Sequence, residues 1–344
     1  MTHPPAPRVS VLLPCRDVES VLGPCIESLE AQTEPRYEAL VLDDGSSDAT
    51  FLRLGAWAER DARVRLVPRA GRGLVAALNA LACAARAPFL ARMDADDVAY
   101  PRRLEAQLEL LERRRSIAAC GTGVRYVPRS ALGSGYARYE RWLNGLTEPE
   151  ELERDLFVEC PIAHPTLMIR RRILENVGGY RDREEPEDYD LILRIVEAGH
   201  EIANVPEVLL DWTLDGDRLS HRSARYSAEA FRRLKIEHLR RGPLGEGSLV
   251  IWGAGKVGKA FLRSWLALEG PPPEALVDLD PRKLGQVIHG SPVIDPSALA
   301  GRFAGGGVRP FVLVAVGSPG AREEIRGALE AMGATEIEDY RAVA

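Results

Sequence analysis

The first half of the chain alternates short apolar runs with longer stretches in which apolar positions recur every three or four residues. "RVSVLLP", "YEALVLDD", "VRLVP" and "PFLARMD" each read as a short buried strand. Between them "VLGPCIESLEAQT", "ATFLRLGAWAER" and "GLVAALNALACAARA" carry helical spacing. Such alternation predicts parallel strands with right-handed crossovers, and ligands then gather beyond the carboxyl ends of the strands. From Pro101 a helix, "PRRLEAQLELLERRR", leads to the strand-like "IAACGTGVRYV"; after an irregular stretch come the helix "EDYDLILRIVEAG" and the strand-like "IANVPEVLLDW". The Pro/Gly-rich "RRGPLGEG" breaks the pattern near Arg240, and strand, glycine loop and helix begin again in "SLVIW", "GAGKVGK" and "AFLRSWLALEG". Two α/β domains are expected, residues 1–240 with a mostly parallel mixed sheet and residues 246–344 with a smaller βαβ unit.

Composition narrows the classes. At 344 residues and 45 % hydrophobic content the chain can build a core in each domain. A net charge of −6 argues against a dedicated nucleic-acid binder, which needs a basic excess on at least one face to neutralise phosphates. The basic clusters "RRRS" and "IRRR" are short and read as solvated helix faces or loop ends. Cys15, Cys25, Cys83, Cys120 and Cys160 form no CxxC pair and are odd in number, so neither a disulfide framework nor a zinc site is expected. "MTHPPAPR" lacks the apolar core of a signal peptide, and no apolar run approaches the ~18 residues needed to span a bilayer. A cytoplasmic protein is expected, with at most peripheral contact at the inner face of a membrane.

The acidic residues lie where a ligand would. "DDGSSD" follows the second strand, and Asp94, Asp96 and Asp97 of "DADD" follow the fourth. Crowded carboxylates repel unless they are fully solvated or surround a cation. Hard oxygen ligands on a short motif suit Mg²⁺ or Mn²⁺, which commonly bind through one or two carboxylates together with substrate phosphates.

Residues 8–235 resemble the family 2 glycosyltransferases, which have the GT-A fold. The likeness is carried in order by "SVLLPCRD", "QTEPRYEALVLDDGSSDAT", "GLVAALNALACAARAPFLARMDADDVAYPRRLE", "HPTLMIRR" and "GGYRDREEPEDYDLILRI". The resemblance implies transfer of a sugar from a nucleotide-diphosphate donor, a UDP-sugar, to an acceptor hydroxyl in glycan or cell-surface polysaccharide synthesis. It puts Pro14 on the donor side and gives Asp43 or Asp44, the second favoured, the task of accepting the uracil N–H. Arg72 and Asn79 then touch the nucleotide, Asp94 lies near ribose and metal, and Asp96 ligates Mn²⁺ or Mg²⁺. Asp97 either supports the metal site or caps the helix after Pro101. Asp188, the second residue of an "ED" pair with Glu187, is implied to be the general base, and a single base opposite the leaving group implies inversion. His164 and Glu187 fall on the acceptor side, and Arg218 and His221 in a segment that closes over the diphosphate. The acceptor is a glycan, lipid-linked or protein hydroxyl. Trp212 reads as a packing residue.

In the second domain Gly253, Gly255 and Gly258 form GxGxxG between a strand and a helix, with Asp278 and Asp280 closing the next strand. That context permits a diphosphate to approach a helix start and an acid to hold a ribose. The fingerprint admits a nucleotide or NAD, while "ALVDLDPRKLGQVIHGSPVIDP" resembles small Rossmann-like domains that accompany sugar-nucleotide enzymes, which implies a nucleotide sugar in place of NAD. A rival reading of the whole chain is a sugar-nucleotide sensor with a degenerate transferase site. A nucleotidyltransferase is disfavoured, because a Gly-rich basic loop is missing from "PCRDVES" after the first strand.

Overall fold

The computed structural model describes residues 6–69, 72–214, 223–242, 248–304, 309–318 and 320–344. The chain forms two compact units, residues 1–152, 161–183 and 187–222 in one and residues 153–160, 184–186 and 223–344 in the other.

Among its described residues the first unit has strands β1 (Val9–Cys15), β2 (Tyr37–Asp43), β3 (Val64–Leu66), β4 (Phe89–Arg92), β5 (Val98–Ala99), β6 (Ile117–Val127), β7 (Met168–Arg170) and β8 (Glu201–Thr213). They order as β3-β2-β1-β4-β7-β6-β8-β5. β1 to β4 run parallel, while β7 is antiparallel to both β4 and β6. Val9 to Leu13 of β1 are all buried, as a strand covered on both faces requires. The helix Thr50–Arg60 turns Thr50, Leu54 and Trp57 inward at helical spacing, and Trp57 is completely buried. Register sets the working edge of the sheet: Cys15 pairs with Asp43 and Leu12 with Arg92, so the loops leaving β1, β2 and β4 emerge side by side.

Among its described residues the second unit has β9 (Leu249–Trp252), β10 (Ala275–Val277), β11 (Val287–Ile288), β12 (Ser291–Ile294), β13 (Phe311–Val314) and β14 (Tyr340–Ala342). Their order is β11-β12-β10-β9-β13-β14, parallel except for the β11–β12 hairpin. The chain steps outward in one direction from β9 to β10 and β12 and in the other from β9 to β13 and β14, the plan of a doubly wound sheet.

The helix Ala228–Arg241 lies before the boundary expected at residue 240, yet it belongs to this second unit. It buries Leu234, Ile236 and Leu239, and Arg232 Nε donates to Ser264 Oγ at 3.2 Å. The short segment 153–160 is drawn in by side chains of the same unit: Lys235 Nζ donates to Val158 O at 2.8 Å and Arg341 Nη1 to Glu153 O at 2.7 Å. Arg233 approaches Glu185 at 3.6 Å, within the same unit.

Candidate active site

The acidic loop after β4 is held by three hydrogen bonds, two of them from Thr213. Asp97 is fully buried and accepts the Thr213 N–H from the end of β8 at 2.9 Å. Thr213 Oγ1 donates to the Asp96 carbonyl, and Asp97 N donates to the Asp94 carbonyl at 3.3 Å. Asp97 therefore anchors the loop and does not cap the helix Arg103–Arg113, which has no side-chain cap. The carboxylate oxygens of Asp94, Asp96 and Asp97 come within 4.8 Å of one another. Asp94 and Asp96 are half-buried. This all-oxygen donor set fits a hard divalent cation, with Asp94 and Asp96 as the accessible ligands and Asp97 behind them.

Two buried arginines back the loop. Arg92, at the end of β4 and 4 % exposed, forms an ion pair with Asp94. Burial works against its charge, but the neighbouring Asp94 carboxylate outweighs this and holds the guanidinium above its usual range. Arg103 donates from Nη2 to the Arg92 carbonyl at 2.5 Å and from Nη1 to Met93 Sδ at 3.0 Å. Burial pushes Arg103 down to about 10, with the Asp97 charge opposing that shift.

The Arg92 charge also reaches the other side of the site. His164 is buried, its Nε2 lies 3.0 Å from the Tyr180 hydroxyl and its Nδ1 4.0 Å from Glu187 Oε1. Burial, and then the nearby Arg92 charge, depress His164 well below the ordinary histidine value, so it is neutral at pH 7. Burial raises Tyr180, Arg92 lowers it, and Glu187 and Asp188 raise it further. Tyr180 is held through its backbone. Asn79 donates from Nδ2 to Tyr180 O at 2.8 Å and accepts Tyr180 N–H at 3.0 Å, while Arg194 Nη2 donates to Gly179 O at 2.8 Å. Gly178 and Gly179 adopt φ of +82° and +69°, which other residues rarely tolerate.

Glu187 and Asp188 open the helix Glu187–Glu197. Glu187 is buried beside His164, and Asp188 is half-exposed with Oδ1 accepting its neighbour's Tyr189 N–H at 2.7 Å. Asp190 serves the fold: it pairs with Arg194 at 2.8 Å in the interior of the same helix.

The two aspartates after β2 divide their work. Asp43 closes its own loop by accepting Gly45 N–H at 3.1 Å and the Ser46 N–H and hydroxyl, so it is an Asx turn. Asp44 is buried and accepts Gly73 N–H at 2.8 Å, and its Oδ1 lies 3.3 Å from Arg69 Nε without a hydrogen bond among the described residues. Pro14 is half-buried on β1, opposite Leu42. Arg72 is exposed. Asn79, expected at the nucleotide, has both amide groups committed to the Tyr180 backbone, so its contacts position a loop. Arg218 and His221 lie outside the described residues. Trp212 stacks on Tyr126 with ring centroids 5.0 Å apart, in keeping with a packing role.

Sequence reasoning passed over Arg92 and Tyr180. Arg92 could have been flagged as a charge inside the apolar run "PFLARM", where an arginine must have a partner. Tyr180 follows two glycines, a signal for a shaped loop.

A mostly parallel sheet with an acidic loop after its fourth strand, and an acid pair opening a later helix, are the features expected of the GT-A fold. Residues 10–178 match the model of glycosyl transferase family 2. The chain is 32% identical over 242 residues to "Putative glycosyltransferase EpsE" of Bacillus subtilis, covering 67% of this chain and 84% of that protein. It is 28% identical over 202 residues to the "Amylovoran biosynthesis glycosyltransferase AmsE" of Erwinia amylovora, covering 58% and 73%. The chain belongs to glycosyltransferase family 2. In fold it is similar to the S. aureus TarS 1–349 complex with UDP-GlcNAc, with a TM-score of 0.55 and 16% identity over 70% of this chain and 68% of that one. It is also similar to the Pyrobaculum calidifontis mannosyltransferase PcManGT with GDP-Man and Mn²⁺, with a TM-score of 0.52 and 20% identity over 68% and 62%.

The second unit also has a cleft. About 560 Å³ opens at the carboxyl ends of β9, β10 and β13, lined by Gly253, Gly255, Lys256, Asp278, Lys283 and Ser318 among others. Gly253 and Gly258 are fixed by packing: a Cβ on Gly258 would lie 1.7 Å from Gly253 O, and one on Gly253 2.6 Å from Ala315 O. Asp278 accepts Ala254 N–H at 3.0 Å, Asp280 N–H at 2.9 Å and Lys283 Nζ at 2.8 Å. Asp280 pairs with Arg282 at 3.0 Å. Among the described residues no helix is long and apolar enough to cross a membrane, and the five cysteines are free.

Proposed function

We propose that the first unit is a metal-dependent, inverting transferase that moves a sugar from a nucleoside-diphosphate donor to an acceptor hydroxyl in polysaccharide synthesis. The observation that carries it is the pairing of an all-oxygen cradle, three carboxylates within 4.8 Å, with an acid-opened helix whose Glu187 lies 4.0 Å from the buried His164, itself 3.0 Å from the Tyr180 hydroxyl. The relative named for amylovoran biosynthesis supports the acceptor class. The fold neighbours holding UDP-GlcNAc or GDP-Man with Mn²⁺ support a nucleotide-sugar donor and a divalent ion.

When bound, Mn²⁺ or Mg²⁺ supplies Lewis-acid charge that stabilises the departing diphosphate. Asp94 and Asp96 would hold it. Asp44, whose buried Oδ1 has no hydrogen bond among the described residues and faces Arg69 Nε at 3.3 Å, accepts the imide N–H of a uracil base. Asp188 takes the proton from the acceptor hydroxyl as it attacks the anomeric carbon, a role typically worth ~10²- to 10⁴-fold. Attack from the face opposite the leaving group inverts that centre. Neutral His164, with Tyr180 and Glu187, gives the acceptor side a wall able to bond sugar hydroxyls.

For the second unit, the cleft supports a Rossmann-like site for a nucleotide. Asp278 already accepts three hydrogen bonds, which disfavours the ribose-diol grip of NAD. A screen of nucleotide sugars with Mn²⁺ and with EDTA, following hydrolysis and transfer, tests the reading: a donor turned over only with metal supports it. Donors that bind without metal and are never turned over would favour a sensor.

A further inference from the structure

The two basic clusters that the sequence left as solvated surface come together in the fold. A groove of about 680 Å³ lies where β4 begins and β7 ends, lined in part by Arg115, Arg170, Arg171, Arg172, Glu112 and Glu175. This is the opposite end of β4 from the acidic loop, since Phe89 lines the groove and Arg92 leads into Asp94. Both glutamates already have cations. Glu112 pairs with Arg8 at 2.5 Å and Glu175 with Arg171 at 2.8 Å. Arg115, Arg170 and Arg172 form no salt bridge among the described residues, although the protein as a whole carries a net charge of −6.

Arg170 is fixed in place. Its Nε donates to Ile117 O at 2.9 Å, its Nη2 to Leu111 O at 2.5 Å, and its guanidinium sits 5.4 Å from the Phe89 ring centroid. Burial lowers its pKa, and the charges of Arg172 and Arg115 lower it further while Glu112 opposes them, which places both arginines close enough to act on Arg170. One fixed arginine with two exposed arginines lining the same groove offers a counter-ion several donors. A carboxylate would neutralise one of the three, whereas a phosphate or diphosphate group brings two or more charges and several oxygens to guanidinium forks.

We propose that this groove is a second anion site, which binds a phosphate or diphosphate ester through Arg115, Arg170 and Arg172. It is independent of the transferase reading, because it uses none of that site's residues. The ester is borne by a lipid or is free in solution; both present the same group to the groove.

The test uses the full chain in EDTA, which removes metal-dependent donor binding, at near-physiological ionic strength to suppress diffuse charge effects. Inorganic pyrophosphate is titrated by calorimetry into the wild type and into an Arg115→Gln/Arg172→Gln double variant. Both side chains are exposed, so the variant should fold, and its thermal unfolding is checked alongside. Loss of two charge-assisted contacts is expected to weaken pyrophosphate binding by about tenfold or more. Sedimentation with phosphatidylcholine vesicles, with and without phosphatidate, identifies the source. Arginine-dependent binding to the phosphatidate vesicles supports a lipid-borne ester, and pyrophosphate binding alone supports a free one. Equal pyrophosphate affinity in the wild type and the variant, or no binding by the wild type, overturns the proposal.

Discussion

Replacing Arg92 with methionine keeps a buried chain of similar length and removes one charge from beneath the acidic loop. Three carboxylates within 4.8 Å of one another repel by about 0.9 kcal/mol per pair in a water-like medium and about 3.5 kcal/mol at an effective dielectric constant of ~20. Arg92 offsets part of that repulsion through its pair with Asp94. Breaking a buried pair by removing one partner typically costs ~3–5 kcal/mol, and because Asp94 is 31% exposed a loss nearer 2–4 kcal/mol is expected. The loop of the variant has one cation fewer, so an added divalent ion should stabilise the variant more than the wild type. Urea unfolding in EDTA and in Mn²⁺ measures both quantities, and Arg92→Lys should recover part of the loss. A variant as stable as the wild type in EDTA, or one that gains no more from Mn²⁺ than the wild type does, would refute the electrostatic account.

Three further outcomes follow from the same contacts. Asn79→Ala removes two hydrogen bonds to the Tyr180 backbone and should cost about 1–3 kcal/mol of stability and lower kcat with donor affinity unchanged; weaker donor binding in calorimetry would instead return Asn79 to the nucleotide. His164 is depressed below 6.5 by burial, so as pH falls through 6.5 the unfolded chain takes up a proton that the folded chain does not, and stability falls by up to about 1.4 kcal/mol per pH unit until the folded value is reached. Urea midpoints from pH 7.5 to 5 should therefore slope more steeply in the wild type than in His164→Gln; parallel slopes would show that His164 is not a buried neutral group. Gly258→Ala should unfold the second unit, because its Cβ would meet Gly253 O at 1.7 Å, and an unchanged melting profile would contradict that packing.

The elements that carry the candidate site were legible because their signals are local. The strand ends, the "DADD" loop and the "ED" helix start each lie within one short motif, and parallel-strand logic gathers their loops at one edge. What escaped is non-local. Asn79 and Tyr180 are 101 residues apart, so nothing near Asn79 shows that its amide holds a distant backbone. Asp97 reads as a metal-site support or a helix cap until β8 brings Thr213 against it across 116 positions. The segment 153–160 joins the second unit through cations located far along the chain, Lys235 and Arg341, which no boundary composition reveals. The two arginine clusters looked solvated because each is short, and their meeting depends on where β7 lies beside β4.

In the proposed mechanism Asp188 removes the acceptor proton while Asp94 and Asp96 hold the donor through a divalent ion. The most direct measurement compares donor binding and single-turnover transfer in the wild type, Asp188→Asn and Asp96→Asn, with the anomeric configuration of the product read by NMR. Asp188→Asn should bind donor as the wild type does and lose ~10²- to 10⁴-fold in turnover, Asp96→Asn should lose metal-dependent donor binding, and the wild-type product should be inverted. Near-normal turnover in Asp188→Asn, or a product of retained configuration, would contradict it.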